Sequence, residues 1–238
     1  MTHAGAADAA IDIRNLQFSY GDGPDVLDIA ALTVQRGARV FLHGPSGCGK
    51  TTLLGILAGV LPATTGQVRV LDRDLVTMRS AQRDAFRAEH VGYVFQQFNL
   101  IPYLSAYDNI ALPCRLDARR HARLGTTSLD TAIRDVASQL DITTLLGQRS
   151  TELSVGQQQR VAAARALLAA PELVICDEPT SSLDPDRRDA FLALLAQSVA
   201  HANATLLFVS HDAALGERFD VQLSLPQLNR AARTAEAA

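Results

Sequence analysis

The sequence predicts an α/β fold with a helical insert, and three observations carry that expectation. A short apolar strand, Val40 to Leu42, runs through a glycine-rich turn into a helical pattern at Thr51. Leu173 to Cys176 is a continuous apolar run of the kind buried on both faces of a parallel sheet. Between about Asn99 and Ala170 strand signals disappear and amphipathic helical segments take over, as in Ser128 to Leu140 and Val161 to Ala169. At 238 residues the chain is long enough for one large α/β domain, or for one domain with an inserted subdomain.

In chain order, residues 11 to 18 alternate apolar and polar as a half-buried strand does, and they end at the turn signal Gly21-Asp22-Gly23-Pro24. A second strand, Leu32 to Gln35, reaches Gly37 and leads into the strand at Val40. Thr51 to Leu61 reads as a helix stopped by Pro62. Strands follow at Gln67 to Leu71 and Val91 to Phe95. After the helical stretch, Pro171 precedes the apolar strand, a helix runs from about Arg187 to Ala200, and strands occupy Thr205 to Val209 and Val221 to Leu225. The tail after Leu228 carries no turn or core signal, and no internal repeat is present.

Composition narrows the class. Hydrophobic residues at 47% and charged residues at 20% describe a globular protein and exclude disorder as the main state. A formal net charge of −3 gives no electrostatic reason to expect nucleic acid. The one basic cluster, Arg115, Arg119, Arg120, His121 and Arg123, reads as a solvated helix face or loop. Cys48, Cys114 and Cys176 are widely spaced without C-x-x-C pairing, which fits a reduced cytosolic compartment. No charged leader precedes an apolar run at the N-terminus, so no signal peptide is expected. Leu53 to Ala63 is too short to cross a bilayer, which takes about 20 residues, so any membrane role is expected to be peripheral.

Val40 to Thr52 reads V-F-L-H-G-P-S-G-C-G-K-T-T, the pattern of a Walker A phosphate loop. Wrapping a triphosphate takes backbone N–H groups at close range, and glycine at Gly44, Gly47 and Gly49 lets the chain approach without a Cβ in the way. The helix that follows aims its N-terminal amides at the phosphates, Lys50 adds a full charge, and the Thr51 hydroxyl suits Mg²⁺. Leu173 to Glu178 is a Walker B pattern, with Asp177 for Mg²⁺ and Glu178 as general base for the attacking water. Alone, that segment reads equally as a core strand ending in a solvated acidic turn. Ser154 and Gln157 have the S-x-x-Q spacing of a capping box before a helix. With Gly156 beside them they form either an ordinary cap or a second phosphate-binding helix end.

Taken together, Gly44 to Thr51, L-S-V-G-Q followed by Gln158-Gln159-Arg160-Val161-Ala162, Asp177-Glu178, Ser181-Ser182-Leu183-Asp184 and Ser210-His211-Asp212 resemble the ATPase subunit of ABC transporters over roughly residues 11 to 225. V-G-Y-V-F-Q-Q-F-N-L-I-P, from Val91 to Pro102, is most similar to the ATPases of macrolide-export and lipoprotein-release type, and the L-S-V-G-Q wording is also similar to that of glycolipid-exporter ATPases. The resemblance implies an α/β P-loop NTPase (RecA-like) core with an N-terminal antiparallel β subdomain and an inserted α-helical subdomain. It assigns residues 11–95 and 171–228 to the core, 96–170 to the helical signature subdomain, 1–10 to a flexible N-terminus and 229–238 to a C-terminal tail.

The resemblance also implies roles. ATP would be cradled by Gly44, Pro45, Ser46, Gly47, Cys48, Gly49, Lys50, Thr51 and Thr52, with Tyr20 stacked on adenine. Mg²⁺ would be held by Thr51, Asp177 and Gln96, with Gln97 the alternative to Gln96. His211 would contact the γ-phosphate and hold Glu178. Two copies would form a homodimer around two ATP, with Ser154, Gly156 and Gln157 of one closing on the γ-phosphate held by Lys50 of the other and Asp184 crossing the interface. A separate integral membrane permease would be the partner, sensed through Gln96 at the cytoplasmic face of the inner membrane. One departure stands out. The usual signature has glycine where this chain has Val155, and a β-branched residue disfavours φ > 0, so that residue is expected to be helical or extended while Gly156 carries the close approach. Other readings are a soluble ATPase of the same family in DNA or translation processes, an importer ATPase, or a phosphate-loop kinase or GTPase. The soluble ATPases usually carry coiled coils or paired cassettes, and L-S-V-G-Q has no place in a kinase or GTPase.

Overall fold

The computed structural model describes residues 8–63, 65–181 and 183–231. The first stretch carries β1 (Ala9–Ser19), β2 (Asp25–Gln35), β3 (Arg39–His43), α1 (Lys50–Leu57), β4 (Thr65–Val70), β5 (Arg73–Asp74) and α2 (Ser80–His90). The middle carries β6 (Val91–Val94), α3 (Ala106–Leu116), α4 (Ala118–Ala122), α5 (Leu129–Gln139), α6 (Val155–Leu167), β7 (Leu173–Asp177) and α7 (Pro185–His201). The last stretch carries β8 (Thr205–Ser210), β9 (Val221–Ser224) and α8 (Leu225–Leu228). Residues group into two units, Met1–Arg87 with Thr205–Ala238, and Ala88–Ala204.

The first unit has the antiparallel sheet that the resemblance implies, and residues 11 to 18 form one of its strands, as their alternation predicts. β1 pairs antiparallel with β2 on one side and β4 on the other, and β5 extends it beyond β4. Ile11, Ile13, Leu16 and Phe18 of β1 are buried. The same unit holds β3 in parallel pairing with both β8 and β9. Phe41, Phe208 and Phe219 fill the space around these strands, with ring centroids 5.2 to 6.4 Å apart. In the second unit β6 and β7 pair in parallel, surrounded by the helical segments.

Several element bounds differ from those read in the sequence, each for a local reason. β2 begins at Asp25 because its full length pairs with β1, polar positions included. α1 stops at Leu57, before Pro62. Gly59 turns left-handed (φ 71) and donates to the Ile56 carbonyl, while Val60 N–H donates to the Gly55 carbonyl, a Schellman ending that only a glycine adopts cheaply. α6 begins at Val155, directly after the Ser154 cap, so its first turn is the signature itself. The expected flexible N-terminus and tail fall mostly outside the described residues, as does Ser182. Asn229, first residue of the expected tail, is fully buried: its side chain donates to the Val26 and Cys48 carbonyls and accepts from Asp28 N–H.

The basic cluster is not one solvated face, and Arg120 is the correction. It is 1% exposed and donates to the Leu168, Ala166 and Glu89 carbonyls at 2.9, 2.8 and 3.2 Å. Arg123 donates to the Ala169 and Ala170 carbonyls and pairs with Glu172 at 3.0 Å. These guanidiniums satisfy the carbonyls left over at the C-terminal end of α6, where a cation also meets the helix dipole. Partial burial pushes the Glu172 carboxyl up, but the hydrogen bond from His90 and the charge and hydrogen bond of Arg123 outweigh it and hold it at about 2. A depressed carboxylate adds stability that is present above its ordinary value of 4.5 and is lost as pH falls from there toward about 2. Acid unfolding of the native chain and of Glu172→Gln is therefore expected to differ at neutral pH and to converge below about pH 2, measured by thermal melts across pH.

Candidate functional site

The phosphate loop lies in the first unit, between β3 and α1. Pro45, Ser46 and Gly47 form its exposed tip, while Cys48, Gly49 and Lys50 turn inward. Packing explains the glycines behind the tip. A Cβ on Gly44 would meet Cys48 Sγ at 2.7 Å and Pro226 Cδ at 3.0 Å, and one on Gly49, at φ 100, would meet Leu27 Cδ2 at 2.8 Å. Gly47 has φ 81 and nothing within 4 Å of where its Cβ would stand, so that part of the loop is open to a ligand. Lys50 is 8% exposed, and its Nζ donates to the Gly44 and Pro45 carbonyls at 2.8 and 2.9 Å. Thr51 is exposed at the start of α1 and Thr52 is buried. The loop thus offers amides, a helix N-terminus and a cation at one place, which fits a triphosphate.

Two more expected residues lie in this unit. Tyr20 is 56% exposed, with its ring edge-on to Phe18 at 4.9 Å and its hydroxyl 3.1 Å from Thr52 Oγ1. An aromatic face is therefore tethered to the first turn of α1. His211 follows β8, whose Ser210 pairs with His43, so the parallel register delivers His211 and Gly44 at the same C-terminal ends of adjacent strands. Ligand chemistry in such sheets gathers at those ends.

The remaining expected residues lie in the second unit. β6 and β7 pair Val94 with Cys176, so Gln96 and Asp177 also leave at matching strand ends. Gln96 is exposed. The Tyr93 hydroxyl donates to Asp177 Oδ2 at 3.4 Å, and burial first, then the Asp177 charge, pushes the tyrosine upward so that it stays a donor. Burial, with the Asp177 charge, also pushes the Cys176 thiol up, and all three cysteines are buried and free. Glu178 has φ 46, an uncommon conformation for a residue with a Cβ and one that clusters at functional sites. The Thr51 hydroxyl of the first unit, and the Asp177 carboxylate and Gln96 amide oxygen of the second, are each hard oxygen donors of the kind that suits Mg²⁺.

Ser154 caps α6 with the reciprocal capping box its spacing predicts. Gln157 N–H donates to Ser154 Oγ and Ser154 N–H to Gln157 Oε1, at 3.4 and 2.8 Å. Val155 is the first helical residue and half exposed, so its β-branch sits where a helix tolerates it. A Cβ on Gly156 would reach nothing closer than Leu183 Cδ2 at 4.0 Å, which leaves the approach open. Asp184 caps α7 in turn, accepting from Arg187 N–H at 3.0 Å. A cleft of about 450 Å³ runs between these two helix starts, lined by Ser154, Gly156, Gln157, Leu183 and Arg187 among others.

Sequence reasoning missed two further residues, Gln159 and Arg165 on α6. Gln159 Nε2 donates to the Pro179 carbonyl at 2.8 Å, next to Glu178. Arg165 donates to the Phe98 and Asn99 carbonyls at 2.5 and 2.7 Å, just past Gln96, and burial lowers its pKa. Nothing in their spacing marks them beyond lying on a helix after the signature.

Comparison with known proteins identifies the family and the fold. Residues 27–181 match the ABC transporter family. The protein named uncharacterized ABC transporter ATP-binding protein YbbA of Escherichia coli (strain K12) is 38% identical over 224 residues, covering 92% of this chain and 95% of that one. Lipoprotein-releasing system ATP-binding protein LolD 2 of Rhodospirillum rubrum is 36% identical over 222 residues, covering 90% of this chain and 93% of that one. Among solved structures, the dimeric structure of MJ0796, a bacterial ABC transporter cassette, has a TM-score of 0.77 at 28% identity, over 90% of this chain and 94% of that one. The same cassette has been solved as a dimeric post-hydrolysis state bound to ADP and Pi, with the same TM-score. This chain belongs to the ABC transporter family, as an ATP-binding ATPase cassette with the P-loop NTPase fold.

Proposed function

We propose that two copies of this chain close head to tail around two ATP and hydrolyse them to drive a separate membrane permease, in export or in lipid or lipoprotein extraction. The observation that carries this reading is the capped, outward-facing start of α6, where Ser154 is exposed and Gly156 is unobstructed. It offers a second phosphate-binding helix end in a chain that already has a phosphate loop. The dimeric cassette at 28% identity supports the assembly, and relatives named for lipoprotein release support the direction.

In this reading Lys50 and the loop amides bind the β- and γ-phosphates, and Tyr20 offers its ring to the adenine. Thr51, Asp177 and Gln96 would hold Mg²⁺, which when bound neutralises charge on the phosphate oxygens. Glu178 accepts the proton of the attacking water, and His211 orients it. Ser154 Oγ and the first amides of the partner's α6 complete the charge around the γ-phosphate, the role that an arginine fills elsewhere. Gln96 faces the permease, which places the protein peripherally on the cytoplasmic face of the membrane. No helix among the described residues is long and apolar enough to cross it.

Purified Glu178→Gln is expected to form a stable dimer on adding ATP, read by size exclusion with light scattering, and to revert when nucleotide is removed. A chain that stays monomeric with ATP and with its permease present overturns the reading. Ser154→Arg is expected to bind ATP as the native chain does and yet to block dimer formation.

A further inference from the structure

We infer that Gln159 is a positioning residue for Glu178, joining the signature helix to the base of the reaction within a single chain. The inference rests on Glu178 serving as that base. α6 starts at Ser154, and on its inner side Gln159 is 1% exposed. Its Nε2 donates to the Pro179 carbonyl at 2.8 Å. A carbonyl only accepts, so this contact also fixes which end of the amide is nitrogen. The other end, Oε1, is buried and finds no donor among the described residues. A half-satisfied carboxamide in a core is a worse packing choice than an apolar residue of the same length. What the amide adds is its grip on the peptide that follows Glu178.

That grip acts at a sensitive place. Glu178 sits at φ 46, and Pro179 after it removes a donor and disfavours the ordinary helical conformation for the residue before it. Holding the Pro179 carbonyl limits how this turn can rotate, and with it where the Glu178 carboxylate points. α6 also holds the Phe98 and Asn99 carbonyls through Arg165, so one rigid helix links the signature, the base and the segment after Gln96. A shift of Ser154 against a partner's phosphate is thereby carried along α6 to Glu178.

The test is Gln159→Met in the purified full-length chain, which keeps the length and loses the donor. The expected result is a fall in kcat of about tenfold or more, toward the roughly 10²-fold that a 1 Å displacement of a reacting group can cost, with KM for ATP unchanged. The stranded Pro179 carbonyl and the removed orphan Oε1 oppose each other in stability, so the melting temperature is expected to move by no more than about 5 °C. In a Glu178→Gln background the same change is expected to lower residual turnover no further and to leave the ATP-dependent dimer intact, because the group being positioned is gone. Full turnover by Glu178→Gln alone would refute the role of Glu178, a result independent of Gln159. An unchanged kcat, a rise in KM alone, or an equal loss in both backgrounds overturns the inference. So does failure of both Gln159→Met and Gln159→Leu to fold, which would make Gln159 a residue of the core.

Discussion

Lys50→Ala is expected to abolish ATP turnover, lowering it by about 10³-fold, the scale set by removing one preorganised charge from a developing anion. The side chain is nearly buried, and its ammonium is held by the Gly44 and Pro45 carbonyls at the N-terminal end of α1. In the proposed site a cation held there faces the phosphate, so its loss is expected to be felt most where negative charge builds up. In the proposed site, nucleotide affinity is expected to fall less than kcat, because the loop amides and the helix end are unchanged by the substitution. The chain contains no tryptophan, so affinity is best followed with a fluorescent nucleotide and turnover by phosphate release. Turnover within about tenfold of the native chain would remove Lys50 from the chemistry and leave it as a brace for the loop.

Arg120→Met is expected to be the most destabilising single change outside the nucleotide site, by about 3–5 kcal/mol, or roughly 10 °C in melting temperature. Burial is the main cause that lowers its pKa to about 10, which still leaves it charged at neutral pH. Replacing both partners of a buried ionic contact with apolar groups is often neutral. Here the partners are backbone carbonyls of Ala166, Leu168 and Glu89, which no substitution removes, so the methionine variant leaves three acceptors stranded. A melting temperature within about 2 °C of the native value would show that water reaches those carbonyls and would refute this account.

Arg120 also marks the limit of what the sequence told. The phosphate loop, the capping box and the strand before Asp177 were legible because each is local. A glycine with no room for Cβ, a Ser three residues before a Gln and an unbroken apolar run all act over a few residues. Gln159, Arg120 and Asn229 were not legible, because each makes its contacts with residues distant in the chain and none differs in type from a solvated polar residue. α2 was missed for a related reason: Ser80–His90 is mostly polar, and Phe86 is its only large buried apolar side chain. The early end of α1 was readable in principle, since a glycine two residues past a helix signals a Schellman stop as strongly as a later proline signals a break.

The order in which the ribosome delivers the chain bears on β3. Its hydrogen-bonding neighbours are β8 on one side and β9 on the other, and Asn229 holds the Cys48 carbonyl in the loop that follows it. None of these partners exists until synthesis has passed Thr205. Until then the strand that leads into the phosphate loop has both edges unpaired, although the whole stretch between His43 and Thr205 has been made, and such edges invite association with other strands. The nucleotide cradle therefore matures only once residues 205–229 have been made, and a nascent chain arrested before Thr205 should be retained by chaperones and bind no ATP.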